Sequence, residues 1–161
     1  EFGDLRYIIA PDPRDVIFQQ NPSIWLEQNM GDKKINVGSE SLKYKHEEWG
    51  RDNIRHAFGD SVYERCKDNT IYNCGTVAGD RKIMSEMFLN IYLMCVGSPN
   101  GTPDQAALNT LLSFDVYKSV TRFTQSEEAW ACQAGTTVAL KVVAVNGKKQ
   151  QTTSMLLPGG H

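Results

Sequence analysis

The sequence predicts a mixed α/β domain, one mixed sheet with flanking helices. Three observations point there. Short runs rich in β-branched and aromatic residues, at 5–10 (LRYIIA), 35–38 (INVG) and Thr70–Tyr72, have the length and composition of strands. Apolar residues recur at helical spacing through Ile83, Met84, Met87, Phe88, Ile91, Tyr92 and Cys95. The chain has 161 residues, 40% hydrophobic and 22% charged, enough apolar material for a real core and unlike a disordered chain. Residues 1–161 read as a single domain.

Each element follows in order. The first strand, 5–10, is expected to stop at Pro11-Asp12-Pro13, because proline cannot continue a central strand. An apolar segment, 16–18, follows, and Asn21-Pro22 reads as a turn. After the strand at 35–38, the polar stretch 40–58 carries Trp49, Ile54 and Phe58 at helical spacing, which predicts a solvated amphipathic helix or helix pair. One more helical turn is expected at 61–65. The strand Thr70–Tyr72 leads into the loop Asn73-Cys74-Gly75, and Asp80 is placed to N-cap the helix that carries the apolar stripe. Residues 97–103 (GSPNGTP) form a loop. Asp104–Leu112 reads as a second, shorter helix with Ala107, Leu108, Leu111 and Leu112 inward. Residues 136–145 are strand-like and Asn146-Gly147 is a hairpin turn signal.

Composition excludes some functions. The formal net charge is -2, so the basic footprint of a non-specific nucleic-acid binder is missing. The most apolar run, 87–96, is too short for a membrane helix and contains Asn90. No basic-then-apolar leader opens the sequence, and the secretory pathway and the cytoplasm both fit. The cysteines are Cys66, Cys74, Cys95 and Cys132; none forms a CxxC pair, which argues against structural zinc. Buried thiols and disulfides both fit that set. Asn100-Gly101-Thr102 is a glycosylation sequon, usable only in a secreted chain. His46-Glu47-Glu48 lacks the second histidine of HExxH, and no GxSxG elbow is present.

Three constellations carry candidate chemistry. Asp12-Pro13-Arg14-Asp15 follows a buried strand directly, and open α/β sheets bind ligands at the carboxyl ends of strands. Its hard carboxylate oxygens suit Mg²⁺ or Mn²⁺, which commonly share ligation with substrate phosphates. A surface turn with aspartate capping backbone amides is the plain alternative. Asn73-Cys74-Gly75-Thr76-Val77-Ala78-Gly79 places two glycines between a strand and a helix, where backbone can approach a ligand, or simply turn. Asp104-Gln105-Ala106-Ala107-Leu108-Asn109 opens a helix, where capping alone explains the aspartate. Trp49 and Trp130 have rings that stack on sugars, or fill a core.

Taken in order, D-P-R-D-V-I-F-Q, Y-N-C-G-T-V-A-G and D-Q-A-A-L-N resemble the catalytic half of metal-dependent GT-A glycosyltransferases. The similarity runs from about Tyr7 to Thr137, and W-A-C-Q-A-G-T-T, from Trp130 to Thr137, adds to it. The resemblance implies a partial GT-A-like nucleotide-diphospho-sugar transferase architecture. It implies transfer of a hexose from a nucleotide-sugar donor to a carbohydrate or other hydroxyl acceptor. Asp12 and Asp15 would bind Mn²⁺ or Mg²⁺, with His161 as a further ligand. Asn73 and Gly75 would lie beside the donor sugar, with Arg14 paired to the diphosphate or to an acidic neighbour. Asp104 and Gln105 would face the sugar and the acceptor, Asp104 as the orienting or basic carboxylate. GT-A domains place a nucleotide-binding βαβ region before the first motif, so the expectation is a chain covering the acceptor side only. The alternative, from another class, is a non-catalytic carbohydrate-binding or scaffold domain derived from that fold.

Overall fold

The computed structural model describes residues 5–14 and 16–132. The expected strand at 136–145, the turn at Asn146-Gly147, Asp15 and His161 lie outside the described residues.

The described chain is mixed α/β, with a five-stranded mixed sheet and helices around it. The strands are β1 (Tyr7–Pro11), β2 (Ile35–Lys43), β3 (Thr70–Tyr72), β4 (Thr76–Asp80) and β5 (Thr121–Thr124). β4 lies between β1 and β2 and is antiparallel to both. β5 runs parallel to the first half of β2, in register from Ile35↔Thr121 to Gly38↔Thr124. β3 is antiparallel to the second half, with Ser39 opposite Tyr72 and Lys43 opposite Thr70. The helices are α1 (Pro22–Asn29), α2 (Glu48–Phe58), α3 (Asp60–Cys66), α4 (Arg81–Val96), α5 (Asp104–Leu112) and α6 (Asp115–Val120).

Three apolar clusters hold these pieces. Ile35, Val37 and Val77 of the sheet meet Met84 and Met87 of α4 and Leu108, Leu111 and Leu112 of α5. Tyr44, Ile54, Tyr63, Cys66, Ile71 and Ala106 form a second cluster between α2, α3 and α5. Leu26, Met30 and Ala78 form a third, flanked by Trp25 and Trp130. The structure thus has one sheet with α4 and α5 on it, and α2 and α3 packed beyond α5.

Several expectations change. β1 reaches Pro11, which pairs with Thr76; β1 has only β4 as a neighbour among the described strands, and an edge tolerates proline. Asn21-Pro22 is a helix start rather than a turn. The Asn21 carboxamide oxygen accepts from Ser23 N–H and Pro22 occupies the first turn, where its missing N–H costs nothing. β2 continues to Lys43, so 40–43 is strand, and the expected amphipathic helix begins only at Glu48. The Glu47 carboxylate caps it on the N–H groups of Trp49 and Gly50. Residues 76–80 are a strand rather than a strand-to-helix turn. Gly79 serves sheet packing, since a Cβ there would sit 2.2 Å from the Lys34 carbonyl oxygen. Asp80 caps α4 as expected, accepting from Lys82 and Ile83 N–H.

Candidate functional site

Asn73, Cys74 and Gly75 bridge β3, which pairs with the end of β2, and β4, which pairs with its start. The loop is held by its own polar groups. The Asn73 carboxamide oxygen accepts from Gly75 N–H at 2.7 Å, an Asx turn, and the Thr76 hydroxyl donates to the Asn73 carbonyl at 3.1 Å. Asn73 N–H donates to the Gly38 carbonyl at 3.0 Å, tying the loop to β2.

Asp12 is brought to this loop by the sheet. The β1–β4 ladder runs to Pro11↔Thr76, and one more bond, Asp12 N–H to the Gly75 carbonyl at 3.2 Å, carries it past the strand ends. The approach is tight enough to favour glycine. A Cβ on Gly75 would lie 3.0 Å from the Asp12 Cβ and 3.1 Å from the Asn73 carboxamide oxygen. Asp12 is half-buried and accepts from Arg14 N–H at 3.0 Å, so its local turn is real. Arg14 is exposed beside it.

Helix α5 supplies the opposite wall. Asp104 opens it without capping it; the helix start is Pro103 and shows no side-chain cap. The Asp104 carboxylate is instead the acceptor for the Cys74 thiol at 3.5 Å. Gln105 is buried and its oxygen accepts from Cys74 N–H at 3.4 Å. One helical turn on, Asn109 is an imitation strand. Its oxygen accepts from Tyr72 N–H at 2.9 Å and its nitrogen donates to the Tyr72 carbonyl at 2.8 Å. The i,i+4 spacing of Gln105 and Asn109 puts both amides on the face that meets β3 and its loop.

Glu40 joins the two walls. It is only 7% exposed, and its Oε1 accepts from the Asn73 carboxamide at 2.9 Å and from the Gln105 carboxamide at 3.2 Å. The next residue, Ser41, has φ 61°, a left-handed conformation uncommon outside glycine. It coincides with the irregular register between β2 and β3. Every residue from Ile35 to Glu40 is buried, because this half of β2 is covered on both faces.

Burial pushes the Cys74 thiol up to about 12, and the neighbouring Asp104 charge adds to the shift. Cys74 is therefore a protonated donor to Asp104 at neutral pH, with no thiolate nucleophile. Trp130 closes the side near Thr76. Its indole N–H donates to the Thr76 carbonyl at 2.8 Å and its ring tilts against Trp25 at 4.9 Å. Trp49, by contrast, is exposed on α2.

Asp12, Asn73, Gly75, Asp104 and Gln105 thus form one connected group, with Arg14 at its rim. Glu40 and the structural use of Asn109 escaped the sequence reading. The polar stretch 40–58 reads as a solvated helix, so Glu40 stands out only once the run 35–40 (INVGSE) is seen to be buried strand. Among the described residues, no three His, Cys, Asp or Glu side chains gather in a way that holds a metal ion. No helix among them is long and apolar enough to cross a membrane. Comparison of the chain with protein-family models, curated proteins and solved structures finds no match in any of the three.

Proposed function

We propose that the chain carries donor-sugar and acceptor residues of a GT-A-like, divalent-metal-dependent glycosyltransferase, acting on a nucleotide-sugar and a hydroxyl acceptor. One observation carries the reading. Three sequence motifs, at Asp12, at Asn73 to Gly75 and at Asp104-Gln105, are far apart in the chain and converge on one polar cluster at the end of β1.

The donor set suits a hard ion in part. Asp12 offers a half-buried carboxylate that spends one acceptor position on Arg14 N–H, and a carboxylate has about four. Mg²⁺ and Mn²⁺ need only one or two carboxylates when phosphates complete the shell, so an all-protein cage is not required. Asp12 and Asp15 would hold the ion, and His161 is the third residue of the proposed set. When bound, the ion supplies charge neutralisation for the departing nucleoside diphosphate.

The remaining residues act by position. Gly75 leaves room for Asp12 beside the loop, and Asn73 and Gln105 hold the loop that would lie beside the donor sugar. Asp104 is exposed at the start of α5, where its carboxylate orients an acceptor hydroxyl and takes its proton. Arg14, exposed at the rim, is available to diphosphate oxygens.

The test is calorimetric titration with UDP and with GDP, each with and without Mn²⁺, on the wild type and on Asp12→Asn. Mn²⁺-dependent binding of one nucleotide, weakened about tenfold or more in the variant, is expected. Absence of Mn²⁺-dependent binding, or equal binding by both proteins, would refute the reading.

A further inference from the structure

We propose that Glu40 is a positioning residue: its carboxylate sets the orientation of the Asn73 and Gln105 carboxamides, and through them the backbone path of the loop 73–75 that would lie beside the donor sugar. The ligand in this proposal rests on the glycosyltransferase reading; the orienting role rests on the geometry alone.

A carboxamide can be turned over, exchanging its oxygen and nitrogen. An ionised carboxylate only accepts hydrogen bonds, so any carboxamide facing it must present its NH₂. Glu40 Oε1 receives both amides, at 2.9 Å from Asn73 and 3.2 Å from Gln105. Their oxygens are thereby directed to the loop backbone. Asn73 Oδ1 faces Gly75 N–H at 2.7 Å and Gln105 Oε1 faces Cys74 N–H at 3.4 Å. Turning either amide over would set oxygen against the carboxylate and NH₂ against a backbone N–H. One charge therefore selects one state of both amides and one backbone path for Cys74 and Gly75. These are the residues that lie against Asp104 and Asp12.

Hydrogen bonds to a carboxylate acceptor are also the stronger kind. Neither amide could be held in this way by the apolar clusters, which have no preference between an oxygen and a nitrogen.

Two variants separate the roles. Glu40→Met keeps the length and removes the acceptor; Glu40→Gln keeps an acceptor oxygen and removes the charge. The first measurement, independent of any ligand, is NMR exchange of the Asn73 and Gln105 side-chain amides and of the Cys74 and Gly75 backbone amides. Glu40→Met should speed exchange by about tenfold or more, and Glu40→Gln by less. The second is calorimetry with Mn²⁺ and four probes: UDP, UDP-glucose, GDP and GDP-mannose. The extra affinity of the nucleotide-sugar over its nucleoside diphosphate should fall about tenfold in Glu40→Met, with partial rescue in Glu40→Gln and unchanged diphosphate binding.

Unchanged exchange in Glu40→Met overturns the proposal. So does a parallel loss for sugar and diphosphate, which is what a merely destabilised protein would give. If Glu40→Met does not fold, exchange in Glu40→Gln decides, and wild-type rates there refute the role. If the wild type binds none of the four probes, the glycosyltransferase reading fails and the exchange measurement alone judges Glu40.

Discussion

Helices α4 and α5 lie side by side on the sheet and invert the usual relation between composition and burial. α4 is rich in large apolar residues, yet Leu89, Tyr92, Leu93 and Val96 are each more than half exposed and only Met84 and Met87 are fully buried. α5 has buried residues from Gln105 to Leu112 without a break, Gln105, Asn109 and Thr110 among them. The polar residues of α5 are inside because each has a named partner: Cys74 and Glu40 for Gln105, Tyr72 for Asn109, the Ala106 carbonyl for Thr110. A satisfied amide costs little to bury, whereas an unsatisfied one is expensive. The difference teaches that α4 is a one-sided cover, whereas α5 is enclosed, by apolar area at Ala106, Leu108, Leu111 and Leu112 and by hydrogen bonds at its polar residues.

That contrast can be broken from either side. Met87→Ala removes a fully buried side chain where α4 meets the sheet and should cost roughly 4 kcal/mol in chemical denaturation. Asn109→Leu keeps the volume and strands the Tyr72 N–H and carbonyl; it should cost roughly 2–3 kcal/mol, with increased hydrogen exchange concentrated at Tyr72. A cost below about 0.5 kcal/mol would show that these bonds add little to the apolar area that α5 buries.

The third expectation concerns pH. The Cys74 value is raised in the folded state, so its protonated form stabilises the fold fully below its ordinary value of 9.0. That contribution is lost as pH rises from 9.0 to about 12, because the unfolded thiol ionises first. Burial shifts Cys66, Tyr44 and Tyr72 upward as well, so their linkage has the same sign. Thermal midpoints should fall across this alkaline window, and less steeply in Cys74→Ser. The smallest effect should come from Leu93→Ser on the exposed face of α4, within about 0.5 kcal/mol of the wild type.

The helices α4 and α5 were legible from the sequence because a long apolar stripe after a capping aspartate, and a short apolar run after a Gly/Pro loop, have local causes. β3 was legible for the same reason. Residues 40–43 were not, because Glu40, Ser41 and Lys43 are polar and read as a solvated helix, and only their pairing with β3 makes them strand. α1 was missed because Asn-Pro both turns chains and starts helices, and its sparse apolar residues gave no stripe. Of the site, Asp12, Asn73, Gly75, Asp104 and Gln105 stood out as motif residues, and the fold brings them together. The link that Glu40 makes between Asn73 and Gln105 was invisible, since it depends on partners 33 and 65 residues away along the chain. Asp104 was legible as a helix opener but not as the partner of Cys74.

The bonds that join the two walls have a kinetic consequence. Glu40 and Gln105 are 65 residues apart, Tyr72 and Asn109 are 37 apart, and Trp130 reaches back 54 residues to Thr76. No hairpin or helix pair contains the site, so it cannot exist in any early, locally stabilised intermediate. Loop closure over these spans must be completed before the first of these bonds rewards it, which places the chain among slower folders. Any signal from the cluster, such as protection of the Cys74 amide during refolding, should therefore appear together with the final compaction of the sheet and not before it.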